Sequence, residues 1–286
     1  MSRLGPGWGG AVLCCALAAC NMNSGAGTRS NDGAATGTGG DTAASTDGPP
    51  IMVDAGALRP GTVRLAVPAY WRPDADWQKL IAAAPTVGMI IFDPASGPGT
   101  ATDSAYTSAI AQAQQADIIV LGYVSTQYGQ RALADIEADI DTYYSLYTPS
   151  GIYLAEGPME ADCTNMDPVY RMLVARAQSH DPKAFIAIGT KFCPTFIEFS
   201  DVMVEFAEDW TTFQSYTVPD WMPANSPTRF VQFVNSVTAD NASKALQLEV
   251  GYGAGWVFAT DGTQPNPWGA LPSYWDQELA ALRALQ

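Results

Sequence analysis

Among the 286 residues there is one histidine, and positive charge is scarce, with 14 Lys and Arg against 29 Asp and Glu. The lone His180 lies in Ser179-His180-Asp181-Pro182-Lys183, a turn leading into a strand, and reads as a surface residue. A Ser–His–Asp triad or a His-built zinc site therefore has no material to work with. The formal charge of −15 and a pI near 4.2 argue against nucleic acid or an anionic membrane surface as partner, since both need clustered Lys or Arg. A cationic ligand stays permitted. Apolar runs are short as well. The stretch 11–19 is too short to cross a bilayer and, with Arg3 ahead of it, reads as an export signal over residues 1–20.

That signal ends on Leu17-Ala18-Ala19-Cys20, which has the form of a lipobox. Lipid attachment at Cys20 is therefore expected, making the protein an exported bacterial lipoprotein held to a membrane by acyl chains alone. Large apolar side chains are nearly missing from residues 21–60, which are rich in Gly, Ser, Thr, Ala, Asn and Asp. Such a segment cannot offset its conformational entropy by burial and is expected to be a disordered linker. The remaining residues, 61–286, suffice for one sizeable domain, and a monomer is expected. Of the five cysteines, only Cys163 and Cys193 lie in that domain. In an exported protein such a pair favours a disulfide over a nucleophile or a metal site.

Short apolar runs at 63–67, 87–92, 118–123, 151–155, 184–188, 202–206, 230–234 and 255–259 alternate with amphipathic stretches. The helical patterns fall at 76–84, 104–115, 132–147, 167–179, 239–249 and 274–285. The strand candidates are continuously apolar, as expected of parallel strands covered on both faces. Eight such units predict a (β/α)8 TIM barrel. A doubly wound sheet is the alternative, but the first strand ends in Pro68-Ala69-Tyr70-Trp71 with no glycine-rich phosphate turn.

In a (β/α)8 barrel the chemistry sits on the loops leaving the strand C-terminal ends. Those loops carry the carboxylates Asp93, Glu156, Glu208 and Asp261, the amide Asn235, and the aromatics Tyr70, Trp71, Tyr128, Trp210 and Trp268. Aromatic faces at a pocket rim are what sugar rings stack on, because C–H-rich faces bury apolar area against them. With no histidine or free cysteine available, carboxylates are the acid–base candidates, and a pair of them can cleave a glycosidic bond. Glu156 is the first choice, since it ends an apolar strand beside Gly157-Pro158. Glu208 and Asp261 are candidates for its partner. No cofactor and no metal is called for, and the expected partner is a polysaccharide.

Several phrases together resemble spherulation-specific family 4, the spherulin-4-like domain. They are Ser96-Gly97-Pro98-Gly99, Gly122-Tyr123-Val124 with Thr126 and Tyr128-Gly129, Gly151-Ile152-Tyr153, and Thr260-Asp261. Asn266-Pro267 and Leu271-Pro272-Ser273-Tyr274-Trp275 complete the pattern. The resemblance implies a (β/α)8 glycoside hydrolase acting on α-1,4-linked N-acetylgalactosamine or galactosamine polymers. It adds Tyr123, Thr126, Asn266 and Tyr274 to the substrate-binding candidates. The chain departs from the family where it reads Ala155-Glu156 in place of Asp-Glu and Phe206-Ala207 in place of Phe-Glu. A family histidine is Asn235 here, and family asparagines are Asp93 and Ala187. Glu208 could restore the missing carboxylate if a bulge or loop shift moved it by one place, because one step along a strand reverses the face.

Overall fold

The computed structural model describes residues 63–285. The expected signal, Cys20 and the linker at 21–60 lie outside the described residues.

Eight parallel strands form one closed barrel in sequence order. They are β1 (Arg64–Ala69), β2 (Val87–Phe92), β3 (Ile119–Ser125), β4 (Gly151–Ala155), β5 (Phe185–Ile188), β6 (Val202–Asp209), β7 (Phe230–Asn235) and β8 (Trp256–Ala259). β2, with the sequence VGMIIF, is buried along its whole length, and so are β4 and β8, as both-face coverage requires. The seam between β8 and β1 is short, pairing Arg64 with Trp256 and Leu65 with Val257. Arg64 covers it from outside, its guanidinium carbon 5.3 Å from the Trp256 ring centroid.

The helices are α1 (Ala75–Ala82), α2 (Ser104–Gln115), α3 (Leu133–Leu146), α4 (Cys163–His180), α5 (Trp210–Phe213), α6 (Ala239–Gly251) and α7 (Trp275–Ala284). Asp74 and Asp103 start α1 and α2 by accepting hydrogen bonds from Asp76 N and Ala105 N, each 2.9 Å long. The sequence places the start of α4 next to Pro168, a residue suited to a first turn. The helix instead begins at Cys163 and carries Pro168 inside it. That start coincides with a tertiary tie, the bond from Cys163 to Cys193 in the neighbouring loop after β5.

No α-helix follows β5. A 3₁₀ turn at Pro194–Glu198 takes its place, and α5 after β6 is a single turn. Arg229 compensates, donating to the carbonyls of Ile197, Ser200 and Asp201 at 2.6 Å each. Carbonyls that a helix would have satisfied internally are met by one guanidinium.

Three carboxyl groups are buried in the β6–β8 sector, those of Glu205, Glu249 and Glu278. Glu249 accepts from Phe258 N at 3.1 Å and Glu278 from Ala259 N at 2.9 Å, so helices α6 and α7 hold the backbone of β8 through side chains. Burial raises all three carboxyls, Glu205 to about 7, Glu278 to about 8, and Glu249 well above its ordinary value. An acid raised in the folded state stabilises the fold fully below its unfolded pKa, and that contribution is lost as pH rises through the folded pKa. The protein is therefore expected to melt at a lower temperature at pH 8.5 than at pH 5. Calorimetry across that window checks it, and a flat profile would contradict it.

Candidate active site

One cleft of about 780 Å³ opens at the C-terminal ends of the strands. Glu156 lines it directly after β4, with its backbone in the left-handed region at φ 54°. A non-glycine residue adopts that region only where its surroundings hold it. Here the neighbouring loop does so. Tyr128 N donates to Glu156 O at 2.7 Å, and the Thr126 hydroxyl lies 2.7 Å from the same oxygen and 2.9 Å from Ala155 O. The Glu156 carboxylate then accepts from the Ser125 hydroxyl at the end of β3.

Facing it are aromatic rings from three strands. Tyr70, Tyr123 and Tyr153 line the cleft in a chain, with centroids 5.3 Å and 6.0 Å apart and edge-on geometry. Burial and neighbouring carboxylates raise the pKa of all three phenols, so they stay protonated hydrogen-bond donors. Tyr153, quoted in the phrase Gly151-Ile152-Tyr153, was not among the site candidates, although it stands two places before Ala155 on β4 and so shares its face. Tyr128 is 54% exposed at the rim. Trp268 closes the opposite wall, its ring 5.8 Å from Phe233.

The Trp268 loop is held from both ends. Tyr70 N donates to Trp268 O at 3.0 Å, and Asn266 accepts from Trp268 N at 3.2 Å. A Cβ on Gly262 would lie 2.0 Å from Pro267 O, so only glycine lets the chain double back there. Asp93 lines the β2 side, where its carboxylate accepts from Gly97 N at 2.6 Å and from the backbone of Ala95 and Ser96. Burial nonetheless raises its pKa. Asn235 lines the cleft and accepts from the Ser236 hydroxyl at 2.9 Å.

Five of the residues singled out in the sequence do not line the cleft. Asp261 turns its carboxylate to Ser273, accepting from the backbone N at 3.2 Å and from the hydroxyl, and thereby closes the 262–272 loop. It is not a partner for Glu156. Tyr274 is buried and donates to Val237 O at 3.1 Å. Thr126 is fully buried, paired with the Tyr170 hydroxyl at 2.5 Å, and acts on the site only through the Glu156 backbone. Trp71 packs on the core and accepts at its carbonyl from Trp77 Nε1. Trp210, the first residue of α5 after the capping Asp209, which accepts from Thr212 N at 3.0 Å, is buried away from the cleft; its ring meets Phe213 and the Lys244 ammonium.

Glu208 does line the cleft, half exposed, with Lys191 Nζ 3.6 Å from its carboxylate. A bulge is present in β6, but upstream. Val204 pairs with Val231 and Phe206 with Gln232, leaving Glu205 as the extra residue. Both Glu205 and Phe206 consequently reach Tyr216, the former accepting its hydroxyl at 2.7 Å and the latter packing 5.4 Å from its ring. Ala207 keeps its register with Phe233 and lines the cleft, as Ala155 does. The bulge therefore does not move Glu208 into the place of Ala207. Among the described residues, no group of three or more His, Cys, Asp or Glu side chains is placed to hold a metal ion.

The loops after β4 and β5 are stapled together beside Glu156. Gly157 N donates to Gly189 O at 2.7 Å, the Thr190 hydroxyl to Pro158 O at 3.0 Å, and Cys163 is disulfide-bonded to Cys193 with the Cα atoms 5.3 Å apart. A Cβ on Gly157 would meet Gly189 O at 2.6 Å, so glycine permits this approach.

The fold and cleft define a closed (β/α)8 barrel with a carboxylate- and tyrosine-lined mouth. Residues 64–282 match spherulation-specific family 4, and the chain belongs to that family. It is 30% identical over 238 residues to Spherulin-4 of Physarum polycephalum, covering 78% of this chain and 71% of that protein. Among solved structures it is similar to Aspergillus clavatus Sph3 in complex with GalNAc, with a TM-score of 0.66 and 20% identity. That match covers 77% of this chain and 97% of Sph3 and supports the shared barrel.

Proposed function

We propose that the protein is a glycoside hydrolase cutting an amino-sugar polymer of the N-acetylgalactosamine or galactosamine type. Glu156 serves as proton donor and Glu208 as second carboxylate. The observation that carries this reading is the placement of Glu156, held in a left-handed turn by two loops and aimed into a cleft walled by tyrosines and Trp268. Membership of the family and the GalNAc bound by Sph3 support the choice of sugar.

In this mechanism protonated Glu156 delivers its proton to the glycosidic oxygen as the bond to the anomeric carbon breaks. Glu208 meets the developing positive charge, either by attacking the anomeric carbon or by taking a proton from the water that does. Tyr70, Tyr123, Tyr128 and Trp268 hold the sugar rings by stacking and phenolic hydrogen bonds. The lipobox Leu17-Ala18-Ala19-Cys20 places this activity at a bacterial envelope through lipid on Cys20. Loss of membrane-fraction protein in Cys20→Ser cells tests the anchor.

A second reading has its own support. Ala155 and Ala207 line the cleft where the resemblance leads one to expect carboxylates, and the charge of Glu208 is compensated by Lys191. A catalytically silent glycan-binding lipoprotein would keep the aromatic walls, since stacking needs no carboxylate. Digestion of galactosaminogalactan, fully acetylated and partly deacetylated, separates the two through mass spectrometry of released products. Under both readings Trp268→Ala is expected to weaken glycan binding about tenfold, the loss of one stacked ring. Unchanged binding in that variant would remove Trp268 from the site.

A further inference from the structure

The bulge in β6 puts a further carboxyl group at the cleft that the proposed reaction does not use. Val204 and Glu205 are adjacent in sequence yet both line the cleft, which the alternating faces of a regular strand would not allow. Glu205 is 2% exposed. One of its oxygens accepts from the Tyr216 hydroxyl at 2.7 Å and the other from the Gln232 side-chain amide. Neither oxygen is left to attack a sugar or to take a proton from water. Any part Glu205 plays in the reaction therefore runs through its neighbours.

The cluster suits a group that keeps or releases a proton. Gln232 Oε1 is buried without a partner, on the same amide whose nitrogen donates to Glu205. Turning that amide over presents its oxygen to a protonated Glu205, whose O–H then donates to it. The pair is thus satisfied with the proton present or absent, and the Tyr216 hydroxyl donates in both states. Burial raises the Glu205 carboxyl to about 7, opposed by the bonds from Tyr216 and Gln232 and by the Lys191 ammonium. From α6, Glu249 couples to Glu205 and is itself raised by burial, while Tyr252 reaches only the Tyr216 ring. From β6 itself, Glu208 lines the same cleft.

Lys191 stands between two acids. Its Nζ lies 3.6 Å from the Glu208 carboxylate, longer than a hydrogen bond, and both side chains are partly exposed. A flexible four-carbon stem lets the ammonium shift. We propose that Glu205 is a positioning residue whose proton decides which carboxylate Lys191 compensates. With Glu205 neutral, the ammonium stays with Glu208. When Glu205 ionises, its proton leaving to water in the cleft, it competes for the ammonium from a drier setting where charge acts more strongly. Glu208 then faces the sugar uncompensated. The consequence for turnover rests on the hydrolase reading above, since a bare Glu208 better meets the positive charge at the anomeric carbon.

The test is carbon-13 NMR of the glutamate carboxyls in purified full-length protein from pH 5 to 9. Glu205→Gln and Glu208→Gln assign the two resonances. Glu205 is expected to titrate near pH 7, and the Glu208 resonance to inflect at the same midpoint. Glu205→Gln keeps the cluster, because its amide donates to Gln232 Oε1 and accepts from Tyr216, and it should erase that inflection. Lys191→Gln leaves the buried bonds untouched; it should erase the inflection too and move the Glu205 midpoint upward. In turnover, the ratio of wild-type kcat to that of Glu205→Gln should be near one at pH 5.5. It should rise to about tenfold at pH 8, the effect of one charge in a partly exposed cleft. A merely structural role would lower kcat equally at both. A Glu208 resonance without the inflection overturns the inference, as does an inflection that survives Lys191→Gln or a kcat ratio flat with pH. Linked titrations in wild-type protein that shows no turnover defeat the hydrolase reading and leave the inference standing.

Discussion

Glu156→Gln is expected to lower reducing-end release from the polymer by a thousandfold or more, roughly what loss of an essential proton donor costs. The amide keeps the shape of the side chain and its hydrogen bond with Ser125, the hydroxyl now meeting an amide group. The backbone bonds from Tyr128 N and the Thr126 hydroxyl are untouched, so the turn at φ 54° persists. Melting temperature and glycan affinity should therefore stay within experimental error of wild type, while turnover falls. That combination is the signature of a group acting in the chemical step. Full activity in Glu156→Gln would take the residue out of the mechanism. If wild-type protein itself releases no reducing ends over prolonged incubation yet binds glycan, the binding reading replaces the hydrolase.

Loss of the disulfide in a Cys163→Ser, Cys193→Ser double variant should cost about 3–4 kcal/mol of stability. The bond closes a loop of sequence separation 30, and the chain-entropy estimate for that length gives this range. For a domain of this size the melting temperature should drop by about 10 °C. The buried position of Cys193 adds to the loss, since a serine hydroxyl there needs a partner. Function should suffer beyond stability, because the bond is one of three contacts stapling the β4 and β5 loops that carry Glu156 and Lys191. Denaturant titrations of oxidised and reduced wild-type protein, run beside the double variant, measure it. Coincident curves for all three would refute the claim.

Much of this architecture could be read from the chain because parallel strands buried on both faces leave continuous apolar runs. The runs at 87–92 and 151–155 match β2 and β4 residue for residue. Glu156 was legible for the same reason, since a carboxylate ending such a run in a barrel has to face the mouth. Tyr70, Asp93, Tyr128, Asn235 and Trp268 followed from the same rule and do line the cleft. The rule overreached at Trp210 and Asp261, where local polar bonds decide the direction. Trp210 starts the capped helix α5 and is buried in the core, and Ser273, twelve residues along the chain, captures Asp261. No pattern of residue types reports which of two polar groups a carboxylate will choose.

The sequence by itself carried the eight-unit barrel, its strand-end loops as the candidate site, and the phrases that resemble the family. The first two depend on composition and period, which are properties of the chain one residue at a time, and the third on short phrases of adjacent residues. Only the tertiary structure decided that β6 bulges at Glu205, that Ala207 consequently stays in register with Phe233, and that Glu208 meets Lys191. It also decided that Glu249 and Glu278 are buried against the backbone of β8, while buried Glu205 lines the cleft, held by Tyr216 and Gln232. Each of these is a relation between segments far apart in the chain. A register shift or an ion pair exists only once two strands or loops lie side by side, and that proximity is set by the closed barrel as a whole.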